Sequence, residues 1–180
     1  MLWSYDARVS FDIVVAADRE WGIGKANGLP WPKLAGDLAH FRKLTSAAPE
    51  GRRNAIVMGR KTWESAEVKG RPLPKRLNIV ISRKGVAETD GMVGAASLDA
   101  ALDAAREAST IFVVGGAEIL RQAFAHPALR YVYLTRIDGS FGADTHIADL
   151  DRDFIHDRWD GECSAEDNGV KYRIERLRRR

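Results

Sequence analysis

The sequence predicts an α/β fold: a single domain with a mostly parallel central β-sheet, flanking helices and an antiparallel C-terminal strand. Two observations predict it. Short, β-branched apolar runs alternate with helix-forming segments from Phe11 to Ala125, the order that a parallel sheet with helical crossovers produces. Three of those runs are almost wholly apolar, as strands buried on both faces are. At 180 residues the chain suits one domain with a substantial core. It reads as a short N-terminal extension over residues 1–10 followed by a domain over residues 11–180.

The elements follow in order. The first strand is Phe11–Ala17 (FDIVVAA). The loop Asp18–Lys33 is long for a strand-to-helix connection, which favours a functional lid. Its glycines, Gly22, Gly24 and Gly28, permit backbone conformations closed to other residues, and Pro30-Trp31-Pro32 stiffens its end. A helix over Leu34–Ser46 carries Leu34, Leu38, Phe41 and Thr45 at helical spacing, predicting one buried stripe. Strands then fall at Asn54–Met58, Leu77–Ser82 and Thr110–Val114, and helices at Lys61–Ala66, Ser97–Ala108 and Ala117–Ala125. Ser97 followed by Asp99 is a good helix start. Tyr131–Ile137 and Lys171–Leu177 alternate apolar and polar residues, which suggests antiparallel or edge strands.

Composition narrows the function classes. Hydrophobic residues are 45% and charged residues 29%, ordinary for a soluble globular protein. Much of the net charge of +3 sits at Arg176, Arg178, Arg179 and Arg180. A short basic end of this kind is more often solvated than bound to nucleic acid, and no aromatic nucleic-acid motif is interleaved with it. Cys163 is the one cysteine, so no intrachain disulfide can form, which suits a reducing compartment. No apolar run is long enough to span a membrane, and residues 1–10 lack the pattern of a secretory signal. A cytoplasmic protein without nucleic-acid or membrane partners is expected, and nothing demands more than a monomer. The histidines, His40, His126, His146 and His156, lack metal-ligand spacing, so no metal is expected.

Several segments carry candidate chemistry, each with an ordinary alternative. Asp37 borders the apolar stripe of its helix; an acid in a first turn is also simply favoured by the helix dipole. Gly59-Arg60-Lys61-Thr62 ends a strand with two cations and a hydroxyl, a phosphate cradle or a solvated basic turn. Ser82-Arg83-Lys84 ends the next strand in the same way. Gly115-Gly116 opens a helix and either lets backbone approach a pyrophosphate or makes a tight turn. Arg76 follows the rigid Arg71-Pro72-Leu73-Pro74-Lys75 and either forks onto a carboxylate or lies on the surface. Ligands gather at the carboxyl ends of strands in open α/β sheets, which favours reading these turns together. No hydrolase serine motif and no Walker loop is present.

Taken together, GIGKANGLPW, the acid after it, MGRKTWES, RPLPKRLNIVIS, VVGGAEI, YLTRID and ADTH resemble the dihydrofolate reductase family, in the right order and over nearly the whole chain. The resemblance implies NADPH-dependent reduction of 7,8-dihydrofolate to tetrahydrofolate, by hydride transfer to C6 and protonation at N5. It implies that dihydrofolate and antifolate-type small molecules are the ligands. By resemblance, Asp37 matches the acid that binds the pteridine ring and Thr135 the threonine that hydrogen-bonds that acid. Trp31 resembles the family's tryptophan beside the pterin. Val14, Val15, Leu38, Phe41 and Val114 match the substrate pocket, and Arg76 the arginine that holds the glutamate α-carboxylate. Ala16, Ile23 and Gly24 match positions facing the nicotinamide. Gly59, Arg60, Lys61, Thr62, Ser82 and Arg83 match the phosphate and adenosine grip, and Gly115, Gly116, Ala117, Glu118 and Ile119 the family's glycine pair and the helix start after it. Three positions depart: Leu120 stands where many members have tyrosine, Ala66 replaces a larger apolar residue with an expected widening of the pocket mouth, and Glu118 follows the glycines where side chains vary. Relatives that act on a pyrimidine or another pterin share the glycine pair and cofactor grip, but need not combine the helix acid, its threonine and Arg76.

Overall fold

Residues 9–180 are described by the computed structural model. The expected N-terminal extension lies outside them up to residue 8; Val9 already packs against the core. In chain order the elements are β1 (Phe11–Ala17), β2 (Gly22–Gly24), α1 (Ala35–Ser46), β3 (Asn54–Gly59), α2 (Arg60–Trp63), β4 (Arg76–Ile81), β5 (Met92–Ala95), α3 (Leu98–Ala104), β6 (Ile111–Gly115), α4 (Ala117–Ala125), β7 (Leu129–Ile137), β8 (Thr145–His146), a 3₁₀ turn (Leu150–Arg152), β9 (Phe154–His156), β10 (Cys163–Asp167) and β11 (Val170–Arg179). The main sheet runs β10-β11-β7-β1-β6-β3-β4-β5, with β9 also paired to β11. Its strands from β7 to β5 are mutually parallel. β11 runs antiparallel to β7, β9 and β10, so the antiparallel finish is there.

The apolar runs fill both faces of the sheet, as strict alternation along each strand requires. Ala55 and Val57 of β3, Ile79 of β4 and Val113 of β6 face one layer, where α3 and α4 cover them with Leu98, Ala101, Leu102, Leu120 and Ala123. Ile56 and Met58 of β3, Val80 of β4 and Phe112 of β6 face the other. That second layer is only partly closed by α1. Of the predicted stripe, Leu34 and Thr45 are buried, whereas Leu38 and Phe41 are half-buried. The stripe is incomplete because α1 stands off the sheet and these two side chains border a cavity.

The short strands β2, β5, β8, β9 and β10 are additions to the expected set. Two helices are shorter than expected. α3 gives way after Ala104 to tighter turns, Arg106 N–H to Asp103 O and Ala108 N–H to Ala105 O. α2 stops at Trp63, whose carbonyl accepts the Gly70 N–H.

Buried polar side chains tie the layers together. Asn54, 1% exposed, donates to the carbonyls of Thr45 (3.0 Å) and Ala47 (2.9 Å) and accepts the Thr110 N–H (3.1 Å). It holds the last turn of α1 to the starts of β3 and β6. Asp12, equally buried, takes a bidentate Arg130. Truncation of Asn54 strands two carbonyls and one N–H away from water, each costing on the order of 1–3 kcal/mol when left unpaired. Asn54→Ala is therefore expected to destabilise the protein by roughly 2–4 kcal/mol in urea unfolding; a loss under about 0.5 kcal/mol, the size of an ordinary surface change, would show that α1 is held by other means.

Candidate functional site

A cavity of about 1360 Å³ opens at the carboxyl ends of the parallel strands, between α1, α2, the start of α4 and the loop 18–33. Its floor is Val14, Val15 and Ala16 of β1, Met58 and Gly59 of β3, Val114 and Gly115 of β6, and Thr135 of β7. The parallel pairing sets Ala16 opposite Thr135, so the hydroxyl emerges beside the floor.

Asp37 projects from the first turn of α1 and is half-buried. The Thr135 hydroxyl donates to its Oδ1 at 2.6 Å. Burial pushes the Asp37 carboxyl above its ordinary value; the Thr135 bond opposes that shift, and the Asp167 carboxylate adds to it. Asp167 is itself held below the usual carboxylate range by the Tyr172 hydroxyl (2.7 Å) and the Gly36 N–H (2.9 Å). A second anion thus sits near the N-terminus of α1. A β-carbon at Gly36 would collide with the Tyr172 hydroxyl, so only glycine lets the helix start so close to β11.

Arg76 lies at another part of the wall, 6% exposed. Its partners are neutral: Nη1 donates to Thr45 Oγ1 (2.8 Å) and Nε to the Pro74 carbonyl (2.9 Å). Burial, with the neighbouring Arg42 guanidinium, lowers its pKa. Arg42 also lines the cavity. A desolvated guanidinium without an anionic partner among the described residues suits a ligand carboxylate.

The cationic end is built from two strand ends. Arg60, Lys61 and Thr62 open α2 after Gly59, and Ser82, Arg83 and Lys84 follow β4; all line the cavity. Ser82 donates to the Gly85 carbonyl (3.0 Å), which shapes its turn. Gly115 and Gly116 are joined by a cis peptide and precede α4. A β-carbon on either would sit in ordinary contact, 3.4 or 3.5 Å from Thr62 Oγ1, so the glycine pair lies directly against the turn that opens α2. Ala117, Glu118 and Ile119 continue that wall. The Glu118 carboxyl is pulled down to about 2 by bonds from Arg121 and Gln122.

The loop 18–33 closes the side of the cavity with Ile23, Gly24, Lys25, Asn27, Gly28 and Leu29. Its base is tied down. The buried Asp18 carboxylate accepts the N–H groups of Glu20, Gly22 (both 2.9 Å) and Phe141 (3.2 Å). β2 pairs with β8, and Asp144 accepts the Ala26 N–H (2.8 Å).

The cavity brings together every expected site residue except one. Trp31 does not face it. This side chain is 5% exposed, lies edge-on to Phe141 at 6.2 Å, and packs with Leu34, Ile137 and Ile174. Its indole N–H is buried without a partner among the described residues. Ala66 is exposed beside the mouth, between the lining residues Ser65 and Glu67. Leu120 is buried against the cavity. Sequence reasoning missed Arg42, His40, Glu67, Asp167 and Tyr172. His40 has one legible signal, its position three residues after Asp37. Its ring is edge-on to Trp159 at 5.6 Å, its Nε2 has no partner among the described residues, and burial with Lys43 lowers its pKa.

The family model described as dihydrofolate reductase matches residues 10–179. The chain is 39% identical over 173 residues to the bifunctional dihydrofolate reductase-thymidylate synthase 1 of Arabidopsis thaliana, covering 91% of this chain and 33% of that protein. It is 42% identical over 154 residues to the bifunctional dihydrofolate reductase-thymidylate synthase of Zea mays, covering 79% and 29%. It is 36% identical over 174 residues to the dihydrofolate reductase of Rattus norvegicus, covering 90% and 93%. The chain thus spans about a third of the length of the plant bifunctional relatives it matches.

The raised carboxyl of Asp37 has a signed consequence for stability. The folded protein holds that proton more tightly than the unfolded chain, so this group favours folding most at low pH. The contribution falls as pH rises from 3.8 through the higher folded value. Asp37→Asn removes the effect. Urea unfolding from pH 3 to pH 7 is expected to show the variant gaining on the wild type as pH rises; a constant difference would mean that the carboxyl is not perturbed.

Proposed function

The chain belongs to the dihydrofolate reductase family, and we propose that it reduces 7,8-dihydrofolate to 5,6,7,8-tetrahydrofolate with NADPH. The observation that carries this reading is one cavity holding three ligand demands: a half-buried acid bonded by a threonine, a desolvated arginine, and a cationic end beside a glycine pair.

The residues present fit a nicotinamide dinucleotide. Gly115 and Gly116 have no side chain where Thr62 approaches, and Arg60, Lys61, Arg83 and Lys84 face the same end. Four cations there favour NADPH, with its extra phosphate, over NADH. Ala16, Ile23 and Gly24 offer backbone groups to the ring amide, with Ala117, Glu118 and Ile119 along the opposite wall. When bound, the cofactor supplies the hydride that reaches C6.

The protein's own part is alignment, charge and exclusion of water. Asp37 accepts hydrogen bonds from the pteridine 2-amino group and N3. Thr135 spends its one proton on Oδ1, which fixes the plane of the carboxylate and leaves its remaining lone pairs for the ligand. Val14, Val15, Leu38, Phe41 and Val114 form the apolar walls. Arg76 takes the glutamate α-carboxylate, exchanging neutral partners for a charged one. Asp37 polarises the ring, and a water at the lid carries the proton to N5. Trp31 acts as a positioning residue beneath the lid's end. Every grip residue comes from this one chain, residues 11–180, which supports a monomer; the lone Cys163 supports a cytoplasmic setting.

Absorbance decay at the NADPH band tests the reading directly. Rapid decay with NADPH and dihydrofolate, slow decay with NADH, and a loss of about 100-fold or more in Asp37→Asn are expected. No decay despite NADPH binding would assign the site to another substrate. Arg76→Leu is expected to raise the KM for dihydrofolate roughly 10- to 100-fold, the scale of one lost charge-assisted pair, with a smaller effect on kcat. An unchanged KM would remove Arg76 from the substrate grip.

A further inference from the structure

The lid's two flanks are fastened very differently. Toward β8 it is held by the β2–β8 pairing, by Asp144 on the Ala26 N–H, and by the buried Asp18 at its base. Toward α2, among the described residues, one hydrogen bond spans the mouth: the Leu29 N–H donates to Glu67 Oε1 at 3.2 Å. The two residues are 38 positions apart, and both line the cavity.

The lid's tip is built to present that N–H. Lys25 and Gly28 exchange both backbone bonds at 2.9 Å. Ala26 and Asn27 between them have φ of 49° and 57°, the left-handed pair that tight hairpin turns require. Gly28 lies beside Glu67, where a β-carbon would stand in ordinary contact, 3.4 Å from Oε1. Leu29 follows at once, and it is the one large apolar side chain exposed among the described residues, at 39%. Whatever holds the Leu29 backbone therefore also sets where this apolar side chain stands at the mouth.

We propose that Glu67 is the latch of the lid, a positioning residue that holds the tip against the α2 side and whose release opens the path for ligand exchange. The chemistry suits a latch better than a strut. Donor and acceptor are both near water, so each is rehydrated when the bond breaks, and the net cost of opening is small. The β8 flank, with several bonds and a buried carboxylate, then serves as the hinge side. A weak bond on one flank and a strong set on the other make opening directional.

The part of this inference that concerns folate rests on the reductase reading; the latch does not. The test therefore begins without substrate. Amide exchange at Leu29, followed by NMR in the ligand-free protein, is expected to quicken roughly fivefold in Glu67→Ala. Glu67→Gln, which keeps an acceptor oxygen, is expected to restore most of the protection. Amides of β1 and β6 should not change, which separates a latch from general destabilisation. Dissociation of tetrahydrofolate, followed by stopped-flow tryptophan fluorescence, is expected to quicken in the same order of variants. Unaltered Leu29 exchange in Glu67→Ala would overturn the latch. Faster exchange with unaltered dissociation would overturn its gating role, and failure of tetrahydrofolate to bind the wild type would count against the reductase reading while leaving the exchange result standing.

Discussion

The amide of Asn54 bonds to three backbone groups from separate stretches of chain, two at the end of α1 and one at the start of β6. It fixes where α1 ends over the sheet. Thr45, in that last turn, is then placed to receive Arg76 from β4. At the other end of the helix, Asp167 takes the Gly36 N–H, and Asp37 in the first turn meets Thr135 of β7. α1 is thus anchored by polar bonds at both ends and packed only partly along its length. The cavity is the space this leaves. A helix that settled onto the sheet through Leu38 and Phe41 would bury more apolar surface and would close the site.

The anchoring leaves several polar groups underserved. Asp37 has one side-chain hydrogen bond in a desolvated position. Among the described residues Arg76 has neutral partners only, and His40 Nε2 and the Trp31 N–H have none. Buried groups left this way oppose folding, and a core chosen for stability alone would replace them. They persist where a ligand supplies the missing partners, so the same energetics that weaken the free protein favour the complex. The opposite case is Asp12, buried as deeply and fully paired with Arg130. That pair serves the fold, and it lies outside the lining of the cavity.

The sequence made the sheet legible because its central strands are buried on both faces, which demands continuous apolar runs. β1 and α4 fall at the expected residues, and the other central strands within two residues at either end. The short strands escaped because two to five residues carry too little pattern: Cys163–Asp167 is exposed along most of its length, and Gly22–Gly24 lies among the lid glycines. At the site, residues flanking a strong strand were readable, since a strand's end fixes where Gly59, Ser82 and Gly115 must lie. Residues that reach the site through tertiary folding were not. Asp167 and Tyr172 arrive on the β10–β11 hairpin, 130 or more positions from Asp37, and Glu67 sits in an irregular turn with no periodicity. Trp31 marks the reverse limit: the motif locates it at the lid's end, but only packing against Phe141 decides which way the ring turns.

The cavity carries both signs of charge. Arg42, Arg60, Arg76 and Arg83 line it together with Asp37. A ligand that fills it therefore meets cations that favour anionic groups and a carboxylate that favours hydrogen-bond donors. Screening is weak in such a partly enclosed space, so a ligand with its charges reversed would meet repulsion at each site at once. Lys25 lines the cavity on the tip, and the carboxylates that hold the tip, Asp144 and Glu67, accept backbone N–H groups. Those bonds are to neutral donors, so each acid keeps its negative charge, and Lys25 is the cation that the tip itself brings to an anionic ligand.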